Sequence, residues 1–366
     1  MSVRYDLAVV GGGLVGACLA EELARGGARV LVLDAGTTPG HASARAAGVA
    51  VPPLRYAADR EFFDWLNEAG GTLRSDIDRL GAAGHRDLTT PVPLLRLLDP
   101  GQLDAHTAGG GPSPGAPLTA AETAALLPGA RLPDGHHVLR AEGLMVDGPA
   151  YLRAVCAAAV GAGVHWWQDA EVGLVEEGPP GSGVLVACAD GRRAEADRVV
   201  LAAGAWTGLL SAGRVPVGPQ RGQLAVLNGP VQPRCVLSSR LYLAPLPAGG
   251  TVVGATEEDV GFDLACTAAG IARLLAFAIR SLPALGSAPL RETRAGLRPV
   301  SGTGRPVVGR IPGSRRTYVA SGHGGFGLLT ARGTARGAAA GLLCADWDAL
   351  PPAFCPTEGD ACASTT

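Results

Sequence analysis

Apolar and polar residues alternate in a pattern that first becomes legible within residues 5–34. Residues 7–10 form a short apolar run that predicts a strand. Apolar residues then recur at helical spacing to about Arg25, and Val30–Leu33 is a second apolar run that stops at Asp34. Phe62, Phe63 and Leu66 within 59–69 predict a helix with one core face, and residues 92–99 predict a strand. Gly and Pro are frequent from 100 to 143, which reads as surface connections around one short helix. Thr119 and Glu122 form its capping box, and Pro128 follows its end. A helix is predicted over 147–160, then strands over 164–168, 170–177 and 183–190, then an apolar strand over 198–206 ending in small residues and Trp206. Residues 220–228, 234–246 and 251–263 predict successive strands of a mostly antiparallel sheet. Ile271, Leu274, Leu275 and Ala278 mark a helix over 267–281. Strand and loop are expected over 290–313, and a strand, a glycine turn and a closing helix over 317–343. Past Trp347 the tail is polar and is expected to fray.

The first strand, turn and helix contain Gly11, Gly13 and Gly16 in the spacing of a dinucleotide fingerprint, and Asp34 closes the unit. Gly11 permits the tight turn, Gly13 admits a pyrophosphate against the backbone, and Gly16 allows the helix to pack close to the strand. Asp34 suits a ribose hydroxyl and repels a 2′-phosphate, which argues against NADP. The spacing does not choose between FAD and NAD; its N-terminal position leans towards FAD. Small residues around Ser43, Ala46, Ala47 and Gly48 suit a segment running beside an extended cofactor.

Composition narrows the picture. At 366 residues the chain is long enough for two domains, and with 47% hydrophobic residues it is globular. It has no uncharged apolar run of eighteen residues, so no membrane span is expected. A net charge of −2 without a basic block gives no reason to invoke nucleic acid. All 31 basic residues are Arg, which excludes a lysine Schiff base and a P-loop lysine. The eight cysteines lack metal or redox-pair spacing, so no metal site is expected. Reduced thiols in a cytoplasmic protein are the expectation.

The expected fold is α/β, with a discontinuous Rossmann-like nucleotide domain (1–55, 143–206 and 296–345). An α+β substrate domain carries the antiparallel sheet (56–142 and 207–295), and 346–366 form a tail. The landmarks are GGGLVG with Asp34, RAAGV (45–49), EGLMVDGPAYL (142–152), LAAGAW (201–206), RGQ (221–223), RLYLAP (240–245), GATEEDVGFD (254–263), AGLRPVSGTGRPVVGR (295–310) and GHGGFGLL (322–329). Together, from the first strand to about residue 345, they resemble the FAD-dependent D-amino-acid oxidase and glycine oxidase superfamily.

The resemblance implies non-covalent FAD, since no Cys sits in or beside GHGGFG. It implies cofactor contacts from Gly11, Gly13, Leu14, Val15, Gly16, Asp34 and Ala35, and from Ser43, Ala46, Ala47, Gly48 and Val49. Further contacts are implied from Val172, Ala203, Gly204, Trp206, Arg298, His323, Gly324, Gly325, Phe326, Gly327 and Leu328. Arg298 falls on the arginine that grips the substrate carboxylate and Tyr242 on the tyrosine that bonds it. His323 is read as a structural turn residue, and Glu257, Glu258 and Asp259 as a solvated loop feature. Glycine oxidases carry an additional arginine in the turn that reads GHGGFG here, so in that turn the chain is more similar to D-amino-acid oxidases. ATEEDVGFD and GRPVVGR are more similar to glycine oxidases. Arg240, read as sharing a strand face with Tyr242, either recognises a second acidic or polar group on the substrate or stands as an exposed arginine at the rim.

The implied activity is oxidative deamination of a small amino acid or amine (glycine, sarcosine-like, D-amino acid or a specialised pathway amino acid), with O2 reduced to H2O2. The alternative is a dehydrogenase on the same scaffold passing electrons to a quinone or carrier. A non-catalytic flavin-binding protein is opposed by Arg298, Tyr242 and GHGGFG. An NAD-dependent dehydrogenase is opposed by the absent catalytic His or Lys pattern. Oligomeric state is open, a homo-oligomer included.

Overall fold

The computed structural model describes residues 4–36, 41–108, 113–229, 232–247 and 249–356. Cys362 and the end of the tail lie outside the described residues. In chain order the elements are β1 (Arg4–Val10), α1 (Leu14–Arg25), β2 (Val30–Leu33), α2 (Arg60–Ala82), β3 (Thr89–Leu98), α3 (Pro100–Ala108), β4 (Ala116–Pro117) and α4 (Ala120–Leu126). Then come β5 (His137–Val146), α5 (Gly148–Gly161), β6 (His165–Trp167), β7 (Val172–Glu177), β8 (Val184–Cys188), β9 (Arg193–Leu201), α6 (Thr207–Leu210), β10 (Val217–Leu227), β11 (Val236–Ser238) and β12 (Tyr242–Pro245). The last are β13 (Thr251–Gly254), α7 (Ala268–Ser281), β14 (Leu290–Ser301), β15 (Val307–Arg310), β16 (Thr317–Ser321) and α8 (Gly327–Cys344).

Two sheets organise them. The first runs β15-β16-β9-β1-β2-β6, with β8 also paired to β9 and β7 to β8. Its centre is parallel: β1 lies between β2 and β9, and β9 pairs with β16. Alternation along β1 explains its burial on both faces. Leu7 and Val9 enter the cluster formed with α1, α2, α5 and α8, whereas Ala8 and Val10 pack with Val184 and Val186 of β8. Each such buried Leu or Val contributes about 1.5–3 kcal/mol of transfer free energy. The second sheet runs β14-β10-β13-β12-β11-β3-β5-β4 and is antiparallel except at β11–β3. One face packs under α7 through Leu274 and Ala278. The other carries Leu94, Leu224, Val236 and Ala244 beside the partly buried Tyr242.

Most sequence-predicted elements form where expected, and the differences have physical reasons. β5 arises in the stretch read as surface connections and pairs with β3 over ten positions. Arg140 and Glu142 break up its apolar pattern. The helix expected over 59–69, α2, runs past residue 69 through Gly70 and Gly71 to Ala82. Leu73, Asp76 and Leu80 prolong its buried face. Packing on α8 thereby outweighs about 1 kcal/mol of helix propensity per glycine. The segment 234–246 is two strands, with residues 239–241 turning between them. β13 stops at Gly254, so 255–263 is mostly loop, and β9 stops at Leu201, ahead of a single 3-10 turn at Gly204–Trp206.

Candidate active site

A cavity of about 1540 Å³ opens beyond the C-terminal ends of β1, β2, β9 and β16, the position at which open α/β sheets bind ligands. One wall belongs to the first sheet and the other to the second. The volume exceeds the roughly 300–1,000 Å³ of a single-ligand pocket, which suits an extended cofactor together with a second molecule. Every sequence-named cofactor residue lines it except Gly16. Gly16 faces the strand instead: a Cβ there would lie 2.0 Å from the Gly11 carbonyl oxygen. Gly11 has φ +109°, and a Cβ on it would strike the Ala202 carbonyl. The fingerprint therefore brings β1, α1 and β9 into close contact at the cavity edge.

Two helix N-termini open into this space. α1 begins at Gly13 and α8 at Phe326; neither start has a side-chain cap or an acidic residue in its first turn. Gly13, Leu14, Val15, Gly327 and Leu328 line the cavity, so the partial positive charge of both helices is directed at whatever occupies it. The Leu14 N–H donates to Ser43 Oγ at 3.1 Å, which ties the small-residue segment to α1. Asp34 is 8% exposed and accepts from the Gly12 N–H at 2.5 Å and the Gly36 N–H at 3.1 Å. Burial raises its pKa and these two bonds oppose the rise. A buried acceptor at the end of β2, an uncapped helix start and a glycine turn without room for a Cβ fit a dinucleotide. Trp206 stands over the far side, edge-on to His41 at 5.4 Å.

The second sheet supplies the opposite wall. Arg298, on β14, donates from Nη1 to the Thr256 carbonyl at 2.9 Å. Its guanidinium lies over Gly222, where a Cβ would come within 2.7 Å, and its stem passes Gly325. Tyr242 starts β12 with its hydroxyl over Gly254. Burial pushes the phenol up to about 12, with the Arg298 charge partly opposing. Arg298, Tyr242 and residues 323–328 thus border one space.

Arg240 also lines the cavity but not for the reason expected from the sequence. It lies in the turn between β11 and β12 and is exposed, so it shares no strand face with Tyr242. His323 is 2% exposed, its Nε2 is 3.0 Å from Thr334 Oγ1, and burial pulls it down to about 3. It is neutral and held against Thr334 of α8.

The acidic loop is not simply solvated. Glu258 accepts from Arg221 Nε at 2.6 Å and from Gln223 Nε2 at 2.8 Å, and Arg221 also bonds Asp263 at 2.5 Å. Burial would raise the Glu258 pKa, but the bonds from Gln223 and Arg221 outweigh it and hold it low. Glu257 is 3.5 Å from Arg55. The clamp fixes residues 256–263, and with them the carbonyl that aims Arg298.

Sequence reasoning missed several cavity residues, among them His41, Arg45, Arg55, Arg96 and Arg273. Arg96 had a readable signal: it is the one cation interrupting the apolar strand 92–98.

The sequence model of the DAO family, described as FAD dependent oxidoreductase, matches residues 6–340. Glycine oxidase of Pseudomonas putida is 31% identical over 339 residues, covering 89% of this chain and 91% of that protein. Among solved structures, glycine oxidase from Geobacillus kaustophilus superposes with a TM-score of 0.88 at 26% identity, covering 97% of this chain and 98% of that one. Iminodiacetate oxidase from Chelativorans sp. gives 0.85 at 29% identity, covering 96% and 99%.

Proposed function

The chain belongs to the DAO family of FAD-dependent oxidoreductases, and from that premise we propose that it oxidises the C–N bond of a small amino acid or amine. The observation that carries the proposal is the juxtaposition, across one cavity, of Arg298 and Tyr242 with the dinucleotide cradle and the N-terminus of α8. The curated and structural relatives act on glycine and iminodiacetate, as their names state, and both carry a nitrogen beside a carboxylated carbon.

In this reading FAD, bound non-covalently along Gly11–Gly13, Asp34, residues 43–49, Val172, residues 203–206 and the 323–328 turn, supplies a two-electron acceptor. Arg298 grips the substrate carboxylate with its planar fork, and the Thr256 carbonyl limits the rotation of that fork. Tyr242 keeps its proton across the working pH range and donates from Oη to the same carboxylate. The amides at the start of α8 favour negative charge on the cofactor side. His323 is buried and its pKa is drawn down to about 3, which makes it a weak proton acceptor, and the proposed chemistry gives it no proton to carry. A neutral amine needs no strong protein base to lose hydride. The net change is amino acid plus O2 plus water giving oxo acid, ammonia (or an amine) and H2O2. Glu257 with Arg55, and Arg240, stand at the rim, where they influence entry.

The test is to purify the protein with its flavin and add glycine, sarcosine and small D- and L-amino acids anaerobically, one at a time. We expect one or a few to bleach the flavin bands and O2 to restore them with stoichiometric H2O2. Acid precipitation is expected to leave the flavin in solution. Bleaching that only a quinone or dye reverses would assign the dehydrogenase reading. A flavin that none of these compounds bleaches would reject a small-amino-acid substrate.

A further inference from the structure

The cavity face of the second sheet carries a cation to which the proposed chemistry gives no task. Arg96 sits in β3, and its neighbour in register is Ser238 of β11, which in turn is opposite Tyr242 of β12. Residues in one row of a sheet share a face. Alternation puts Arg96 on the side of Val92 and Leu94, which pack with Val236 and Ala244 near Tyr242. Arg96, Ser238 and Tyr242 all line the cavity. Two strand spacings separate the backbones of Arg96 and Tyr242, about 10 Å.

The guanidinium is held in place but not neutralised. Nη1 donates to the Pro114 carbonyl at 2.6 Å and Nη2 to the Pro52 carbonyl at 3.4 Å. Both are neutral acceptors, and desolvation with no nearby carboxylate draws its pKa down to about 10. The other cavity cations differ. Arg55 has Glu257 at 3.5 Å, Arg298 holds the first carboxylate in the proposed chemistry, and Arg45 (bonded to the Ala295 carbonyl), Arg240 and Arg273 are exposed to water. A fixed, partly dehydrated cation facing an open space is paired most favourably by an anion brought in from outside.

We infer that Arg96 recognises a second anionic group on the substrate, so that the preferred substrates carry a further carboxylate beyond the carbon that is oxidised. This rests on the proposed anchoring of the first carboxylate by Arg298 and Tyr242. The substrate then lies along the sheet row, with Ser238 beneath its middle and Arg96 at its far end. Arg96, not Arg240, reads the distal charge, because two carbonyls fix its position while Arg240 is exposed to water at the turn.

The experiment measures equilibrium binding to the holoenzyme of succinate, glutarate and adipate, each against its monoamide. None has an amine, so none is turned over. In the wild type we expect at least one diacid to bind tenfold or more tighter than its monoamide. That ratio should fall to within about twofold in Arg96→Met, stay intermediate in Arg96→Lys and be retained in Arg240→Met. Equal affinities in the wild type for all three pairs overturn the inference, as does a ratio that Arg96→Met leaves intact or that only Arg240→Met removes. If Arg96→Met does not fold, the wild-type ratio together with Arg96→Lys decides: an undiminished ratio in Arg96→Lys overturns it. Binding of the monoamides without a preference for diacids overturns the Arg96 assignment alone. Failure of every ligand to bind, or binding unaffected by Arg298→Ala, overturns the carboxylate anchor and the inference with it.

Discussion

At the scale of single residues, Arg298 and His323 show how the protein keeps one basic side chain charged at the cavity and buries another in neutral form. Arg298 borders the cavity and hands one N–H to a carbonyl, leaving the rest of its fork for a ligand. Arg298→Ala is expected to raise KM about 10–100-fold, the equivalent of a charge-assisted bond pair, with a smaller change in kcat. Steady-state kinetics on the identified substrate check this, and an unchanged KM would remove Arg298 from substrate binding. His323 is buried and pulled down to about 3, so the unfolded chain binds a proton there between roughly pH 3 and 6.5 that the folded one does not. Stability on this account is complete above about pH 6.5 and declines as pH falls. Glu177 adds to the loss further down: its carboxylate accepts from the Arg316 N–H at 2.9 Å and from Thr317 Oγ1 at 2.7 Å. Burial opposes these bonds and the Ser314 hydroxyl, which together hold it at about 2, so its contribution fades as pH drops below about 4.5. Melting temperatures from pH 4 to 8 should fall with pH in the wild type. In His323→Asn the slope between pH 4.5 and 6.5 should flatten.

At the scale of elements, four helices are stapled by a buried charge cluster. Arg332 of α8 is 1% exposed and contacts Glu21 at 2.6 Å and Glu22 at 2.9 Å on α1, and Asp76 at 2.9 Å on α2. The Asp76 contact is an ion pair at Nε without a well-aligned hydrogen bond. Tyr151 of α5 donates to Asp76 at 2.7 Å, and Arg79 bonds both Asp76 and Glu21. Asp76→Ala would leave Arg332 short of a counter-charge and should cost about 3–5 kcal/mol, read by urea unfolding of the holoprotein. A loss under 1 kcal/mol would show the cluster to be dispensable. This cluster was not legible in the sequence. Arg332 looks like any charged residue on a small-residue helix, and its partners lie some 250–310 positions away. The fingerprint and α1 were legible because local chemistry alone specifies them. So was the capping box of α4, where Thr119 and Glu122 bond reciprocally. β5 and the far half of α2 were hidden, because cross-strand pairing and packing on α8 decide them. The same holds at the site: motif residues were readable, whereas Arg96 and the Arg221–Glu258 clamp became meaningful only through register.

At the scale of the whole molecule, the cavity lies between the two sheets, so a cofactor held there as proposed would touch both. Residues 10, 11, 13–15 and 202–206 line the cavity on one side, and Arg298 on the other. Free FAD at a hundredfold above its Kd should therefore add about 2.7 kcal/mol to stability. Differential scanning of apoprotein against FAD concentration should show one transition moving upward. Two transitions, only one of them sensitive to FAD, would mean that the cofactor supports the first sheet alone. Among the described residues no helix is long and apolar enough to cross a membrane.

The central strand of the first sheet has a further consequence, for the order in which the chain is made. Leu7 of β1 pairs with Arg198 of β9, 191 positions later, and β9 in turn pairs with β16 at Thr317–Ser321. At roughly 5–20 residues per second, the ribosome needs about 10–40 s to deliver that first partner. During that interval the nascent β1-α1-β2 unit has an open apolar edge, and most of the second sheet has not yet been synthesised. The nucleotide fingerprint is thus synthesised well before the strand that flanks it.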